Sequence, residues 1–256
     1  MGIIQSIILG LVQGLTEFLP VSSSGHLVIF QKLMGLKEAP IFFDTLIHLG
    51  TLTAVVFFLR REIVAILRTL ADKGTQRLIF NLVLATIPAV AAGLLLRDII
   101  GEVFNSLTIV GFGLLFTSLI LFLTKFAKKK KEIGQLSWVD SLFVGIFQAF
   151  SILPGVSRSG STVSAGLYRG LESESAFRFS FLMAIPVILG AGILQIGDIQ
   201  SNFSSASLIS NLIGFVVSVV AGFLALGILE KIMLRGKVHY FSIYCLILGV
   251  LVIIFK

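Results

Sequence analysis

The sequence predicts an all-α, polytopic membrane protein with six transmembrane helices plus two re-entrant helix hairpins in an inverted-topology repeat. Three observations carry this. Apolar residues make up 56% of the 256 residues and charged residues 13%, well short of the ~25% charged content of soluble domains, and the mean hydropathy is +1.04. Six uniformly apolar runs approach the ~20 residues that carry a helix across a bilayer. Two further apolar stretches are interrupted near their middles and share an unusual set of residues.

The six runs are Ile41–Leu59, Leu78–Leu96, Leu107–Thr124, Ala176–Ile196, Ser207–Leu229 and Tyr240–Phe255, each flanked by charged or Gly/Ser-rich sequence. The first interrupted stretch is Ile3–Leu19, followed by Pro20-Val21-Ser22-Ser23-Ser24-Gly25 and the short run Leu27–Met34. The second is Trp138–Leu153, followed by Pro154-Gly155-Val156-Ser157-Arg158-Ser159-Gly160 and Ser161–Tyr168. Irregular backbone at membrane depth survives only where protein or a water-filled cavity surrounds it. Each stretch is therefore a re-entrant hairpin or a broken spanning helix. If 138–168 returns to its own side, 15 of the 20 Lys and Arg residues fall on one face. Lys32, Lys37, Arg97 and Lys256 fall on the other, and Arg158 sits at the tip. If both stretches cross, the bias disappears. The positive-inside rule thus makes 138–168 a hairpin entering from the cytoplasm.

An internal repeat decides the first stretch. Displacing the chain by 135 residues pairs Ser6 with Ser141, Gly10 with Gly145 and Gln13 with Gln148, and Val21, Ser22, Ser24 and Gly25 with Val156, Ser157, Ser159 and Gly160. Seven of the 20 positions from Ser6 to Gly25 are identical, and six of those are Ser, Gly or Gln, a selection that shared hydrophobicity does not produce. Three spans separate the copies, so two hairpins enter from opposite faces and meet near the midplane, as in inverted-repeat membrane proteins. The expected organisation is one membrane domain, 1–256. Repeat 1 covers about 1–124 with its hairpin at 3–34, repeat 2 about 138–256 with its hairpin at 138–168, and both termini are external.

Composition also excludes classes. A lone Cys245 makes no internal disulfide. The net charge of +7 lies mostly in loops between apolar runs, where topology explains it, so no nucleic-acid partner is expected. The first apolar run has no basic stretch before it and contains Gln13 and Glu17, which argues against a cleaved signal peptide.

The chemistry concentrates at the two tips. Ser6, Gly10, Gln13 and Glu17 share one helical face, and a carboxylate at membrane depth marks function unless it is wet or paired, for instance with Arg158. Ser22, Ser23, Ser24 and Gly25 offer hydroxyls and a helix start that attracts anions, although serine is also an ordinary helix cap. Ser157, Arg158, Ser159, Gly160, Ser161 and Thr162 repeat the device with a guanidinium that matches phosphate oxygens; its plainer role is to neutralise Glu17. His26 follows the first anion loop and suits proton transfer. His48 with Asp44 reads as a packing contact or, secondarily, a substrate-path lining, and His239 as a loop residue. Carboxylate, arginine, histidine and hydroxyls together suit phosphoryl transfer. No Walker-type loop is present, and Mg²⁺ or Ca²⁺ on Glu17 and substrate oxygens fits the ligand set.

These residues resemble the two signature regions of the undecaprenyl-diphosphate phosphatase, or bacitracin-resistance, family. Gln13 and Glu17 match its (Glu/Gln)-x-x-x-Glu element, Pro20 to His26 its Pro-Val-Ser-Ser-x-Gly-His element, and Pro154 to Thr162 its Pro-Gly-x-Ser-Arg-Ser-x-x-Thr element. The likeness extends over the whole chain, including Phe43-Asp44 through His48-Leu49-Gly50-Thr51. It implies hydrolysis of undecaprenyl diphosphate to the monophosphate, which recycles the lipid carrier of peptidoglycan synthesis and confers bacitracin resistance. It further implies a divalent cation, a homodimer in the bacterial inner membrane and an active site open to the outer face. By motif position Gln13 and Glu17 bind metal or water, Ser23 and His26 serve the chemistry, and Arg158 and Thr162 hold the diphosphate with Ser157 and Ser159 nearby. Many members carry Glu where this chain has Gln13, so Glu17 is the sole acidic ligand expected at these tips. The alternative is a secondary transporter or flippase of a lipid phosphate using the same midplane anion site; a purely structural scaffold leaves Glu17, His26 and Arg158 without a role.

Overall fold

The computed structural model describes residues 1–36, 40–96, 106–128, 130–196 and 205–255. Among the described residues the chain forms α1 (Ile3–Phe18), α2 (Ser23–Leu33), α3 (Ile41–Phe58), α4 (Arg60–Arg68), α5 (Lys73–Leu95), α6 (Leu107–Leu123), α7 (Trp138–Phe150), α8 (Arg158–Tyr168), α9 (Ser173–Ile196), α10 (Ser205–Leu234) and α11 (Phe241–Phe255). No strand occurs among them, only an isolated parallel bridge between Lys131 and Leu171. Lys37, Arg97, Lys129 and Lys256, used above in counting charges, lie outside the described residues.

Six helices, α3, α5, α6, α9, α10 and α11, are long and apolar enough to cross a membrane, and each coincides with one of the six runs. Their surfaces suit lipid: Phe57, Phe80, Phe112, Leu119, Ile193 and Ile254 all face outward. Two boundaries differ from expectation for a local reason. Asp72 accepts from the N–H groups of Gly74 (2.8 Å) and Thr75 (3.1 Å), an N-cap that makes the polar turn before Leu78 helical. At its far end α10 continues through polar residues to Leu234, because a hydropathy run registers only the apolar part of a helix. The short α4 was not anticipated. It is amphipathic, setting Ile63 and Ile66 against the core and leaving Arg60, Arg61 and Arg68 exposed.

The two halves are interleaved. Helix α1 lies along α10, which also packs on α3, while α7 lies along α5 and α6 along α11. Two repeated glycines explain how close the first helix of each half comes to the other half. A Cβ on Gly10 would lie 2.6 Å from the Gly214 carbonyl oxygen of α10, and one on Gly145 would lie 2.5 Å from the Ala85 carbonyl oxygen of α5. Both helices rest on backbone, which only a residue without a side chain allows.

The start of α7 and the end of α8 meet. Asp140, 1% exposed, accepts from Arg169 Nε at 2.6 Å and from Lys131 Nζ at 3.1 Å. It also completes a capping box, accepting from the Ser137 N–H while its own N–H donates to Ser137 Oγ. Asp140 lies outside the six spans. Burial pushes its carboxyl up, but the Ser137 N–H, Arg169, the Ser137 hydroxyl and Lys131 outweigh that and hold it down at about 2.

Candidate active site

The polar face of α1 is buried along its length: Ser6, Gly10, Gln13 and Glu17 all point inward. The helix ends before Pro20, and the chain turns through Ser22, the one described non-glycine residue with positive φ (+71°). That conformation is rare for a residue with a Cβ. It turns the Ser22 carbonyl oxygen to within 2.8 Å of His26 Nδ1. Ser22 Oγ accepts the Gly25 N–H at 3.3 Å and so caps α2. The second tip is built alike: Ser157 Oγ accepts the Gly160 N–H at 3.1 Å and caps α8. The paired hydroxyls Ser22–Ser24 (3.3 Å) and Ser157–Ser159 (3.2 Å) recur as well. The plainer capping role therefore describes what the Ser22 and Ser157 hydroxyls do here.

Neighbouring helices pin both turns. From α6, Thr117 donates to the Gly155 carbonyl oxygen (3.2 Å) and accepts the Ser157 N–H (2.9 Å). From α11, Cys245 Sγ donates to the Pro20 carbonyl oxygen at 3.5 Å. The tips also touch directly, with Ser159 Oγ donating to the Leu19 carbonyl oxygen at 3.3 Å.

Across this junction Arg158 Nη2 donates to Glu17 Oε1 at 2.7 Å, with the two side chains 12% and 8% exposed. The other carboxylate oxygen, Oε2, accepts from Ser23 Oγ at 2.6 Å and from Gln13 Nε2 at 3.1 Å. Gln13, Glu17, Ser23 and Arg158 thus form one network. Thr162 stands behind it, its hydroxyl donating to the Arg158 carbonyl oxygen at 2.9 Å and lying 2.6 Å from Ser180 Oγ. His26 is buried beside the network, with Nε2 2.6 Å from Tyr244 Oη. The expected His48–Asp44 contact runs to backbone: His48 Nδ1 lies 2.7 Å from the Asp44 carbonyl oxygen.

Two buried atoms of the network have no hydrogen-bond partner among the described residues: Arg158 Nη1 and Gln13 Oε1. A buried polar atom without a partner is costly, and these two are a donor suited to an anion and an acceptor suited to a cation. A hard divalent ion fits the oxygens of Gln13 and Glu17 in part. The described residues hold no group of three His, Cys, Asp or Glu that could bind a metal, so substrate oxygens or water would complete its shell.

Tyr244, Thr117 and Ser180 were not foreseen. Tyr244 and Thr117 lie in uniformly apolar runs and Ser180 in a third, where no spacing marks a polar residue as more than an incidental one.

The sequence profile of the family described as "Bacitracin resistance protein BacA" matches residues 6–251. Among similar curated proteins, the undecaprenyl-diphosphatase of Carboxydothermus hydrogenoformans is 41% identical over 256 residues, covering 98% of this chain and 97% of that one. That of Thermosipho africanus is 43% identical over 247 residues, 96% and 97% of the two chains. An undecaprenyl-diphosphatase of Methanococcus maripaludis is 41% identical over 254 residues, 98% and 99%.

Proposed function

The chain belongs to the bacitracin resistance protein BacA family, and from that premise we propose that it is a membrane hydrolase converting undecaprenyl diphosphate and water to undecaprenyl phosphate and inorganic phosphate. The reaction recycles the lipid carrier for peptidoglycan synthesis and confers bacitracin resistance. The observation that carries the reading is the Glu17–Arg158 contact, which joins the two tips while Arg158 Nη1 remains unpaired. Guanidinium and carboxylate meet where one pyrophosphate group can engage the arginine directly and the carboxylate through a bound cation.

Arg158 binds the terminal phosphate through Nη1, and the first-turn N–H groups of α2 and α8 add donors around it. As the guanidinium turns toward phosphate, Glu17 is left to orient Ser23 and to accept its proton. Two groups are placed for attack on phosphorus: Ser23 through Glu17, and His26 through Nε2, which can also take a proton from water. In each route the bond from the terminal phosphorus to the bridging oxygen breaks and undecaprenyl phosphate leaves. Where Ser23 or His26 has taken the phosphoryl group, water then cleaves the new Oγ–P or Nε2–P bond and releases inorganic phosphate. A phosphohistidine is acid-labile and a phosphoserine acid-stable, so quenching into acid and base identifies the nucleophile, and water is the nucleophile when neither is trapped. Gln13 Oε1 and the Glu17 carboxylate would hold a divalent cation, Mg²⁺ or Ca²⁺, which when bound neutralises phosphate charge. Ser22, Ser24, Gly25, Ser157, Ser159 and Thr162 shape the two tips around the diphosphate.

The two helix pairs, 3–34 and 138–168, are re-entrant and related as an inverted-topology repeat. The meeting of α7 and α8 at Asp140–Arg169 and the crossed partners α1–α10 and α7–α5 support this. The protein sits in the cell membrane, the inner membrane where there are two, with both chain ends and the substrate opening external. The positive-inside bias supports that orientation. Homodimeric assembly rests on the family resemblance alone.

The decisive experiment is phosphate release from a short-chain prenyl diphosphate by purified protein in detergent. Release without a membrane gradient is the expected result. Binding or counterflow without release would overturn the hydrolase and favour a carrier.

A further inference from the structure

His26 is held at both ring nitrogens, and the two contacts together fix where its proton sits. Nδ1 lies 2.8 Å from the Ser22 carbonyl oxygen. A carbonyl oxygen only accepts, so Nδ1 carries the hydrogen. In the neutral ring Nε2 then has one lone pair and no hydrogen. At 2.6 Å the Tyr244 hydroxyl donates into that lone pair, with the two rings only 7° from parallel and their centroids 5.7 Å apart. A single lone pair cannot accept this hydrogen bond and, at the same time, attack phosphorus or take a proton from water.

We propose that Tyr244 is a positioning residue of the hydrolysis: it aims and covers His26 Nε2 in the resting protein, and the diphosphate of the substrate displaces its hydroxyl before reaction. The inference rests on the hydrolase reading above and extends it to a residue outside both signature segments. Tyr244 is placed for such a role. Its neighbour Cys245 ties α11 to the Pro20 carbonyl oxygen, which sets how far the hydroxyl reaches into the first tip. The Tyr244 side chain is 47% exposed whereas His26 is 5% exposed, so the ring has room on its outer side to swing away. The charged groups at the tips, Glu17 and Arg158, are paired with each other, and α6, which packs on α2, carries no titratable side chain. Among the described residues only Tyr244 is hydrogen-bonded to Nε2.

The test uses the full chain in detergent and the variant Tyr244→Phe, which keeps the ring and removes the hydroxyl. Diethyl pyrocarbonate acylates unprotonated imidazole nitrogen, and mass spectrometry reads each histidine separately. Acylation of His26 is expected to speed up at least about fivefold, while His48 and His239 keep their rates. KM for a short-chain prenyl diphosphate is expected to fall about two- to tenfold, the equivalent of one neutral hydrogen bond that substrate no longer displaces, with no rise in kcat. An unchanged acylation rate at His26, or a KM that stays or rises, overturns the proposal. Wild-type protein labelled with ¹⁵N-histidine supplies a reading independent of any variant: neutral His26 should show the Nδ1–H tautomer, and an Nε2–H signature would overturn the assignment. Wild-type protein that releases no phosphate overturns the hydrolase reading and Tyr244's part in it. Failure of the acylation arm in active protein overturns Tyr244 alone.

Discussion

Removing Arg158 separates what the Glu17–Arg158 pair does for the fold from what it does for the chemistry. The two side chains are 12% and 8% exposed and 2.7 Å apart. Arg158→Met keeps the apolar stem but leaves the Glu17 carboxylate with only the Ser23 hydroxyl and the Gln13 amide as donors. Breaking a buried pair on one side costs about 3–5 kcal/mol, whereas replacing both partners is near neutral. At ~2–4 °C per kcal/mol for a chain of this size, the single variant should unfold roughly 6–20 °C below wild type. Glu17→Gln with Arg158→Met should recover most of that loss, because no charge is then left buried alone. Activity should follow the opposite logic. Both the single and the double variant should lose about three orders of magnitude or more in phosphate release, since each lacks the phosphate-binding guanidinium. Unfolding midpoints in detergent and phosphate release on the same preparations decide the matter. A double variant as unstable as the single would refute the buried-charge argument, and near-normal turnover in folded Arg158→Met would remove this arginine from the mechanism.

Three other predictions are open to direct measurement. Gln13→Glu should lower the divalent-cation concentration giving half-maximal activity about tenfold by adding a second carboxylate beside Glu17, and an unmoved titration would exclude position 13 as a ligand. Asp140 is depressed from 3.8 to about 2, so its ion pairs contribute fully above pH 3.8 and are lost as pH falls through about 2. Asp140→Asn should therefore be less stable than wild type at pH 6, by about 1–2 kcal/mol after discounting the partly exposed Lys131 and Arg169; a gap that does not narrow on approaching pH 2 would refute the assignment. Gly10→Ala places a Cβ 2.6 Å from the Gly214 carbonyl oxygen and should cost about 1–3 kcal/mol, read as a lower unfolding midpoint; an unchanged midpoint would show that α1 and α10 can part without loss.

Much of this architecture was legible because it rests on strong, local signals. The six spans announce themselves by apolar length, and the tips by polar residues that lipid does not tolerate. The meeting of Glu17 with Arg158 followed from the repeat, since two broken segments in related halves have one natural place to converge. Other features are invisible to such reasoning. Tyr244 is one polar group in an apolar helix, and its partner His26 is 218 positions away; no periodicity connects them. The helix α4 is too short and too charged to register as a span, yet Ile63 and Ile66 hold it to the core. Ser22 and Ser157 carry the residue type of an anion loop, but whether a serine hydroxyl caps its own helix or faces a ligand depends on backbone angles that the sequence does not state. The repeat likewise conceals a division of labour: under the displacement of 135, Glu17 corresponds to Ile152, His26 to Ser161 and Arg158 to Ser23, so each half supplies what the other lacks.

The interleaving of α1 with α10 has a consequence for synthesis on the ribosome. Helix α1 emerges well before its long packing partner, 205–234. Glu17 leaves the ribosome 141 residues ahead of Arg158, roughly 7–30 s earlier at ~5–20 residues per second. Through that interval the amino-terminal segment has neither its countercharge nor the groove that receives Gly10. Its full set of packing partners, α10 and the Arg158 guanidinium, exists only once those later segments have been made.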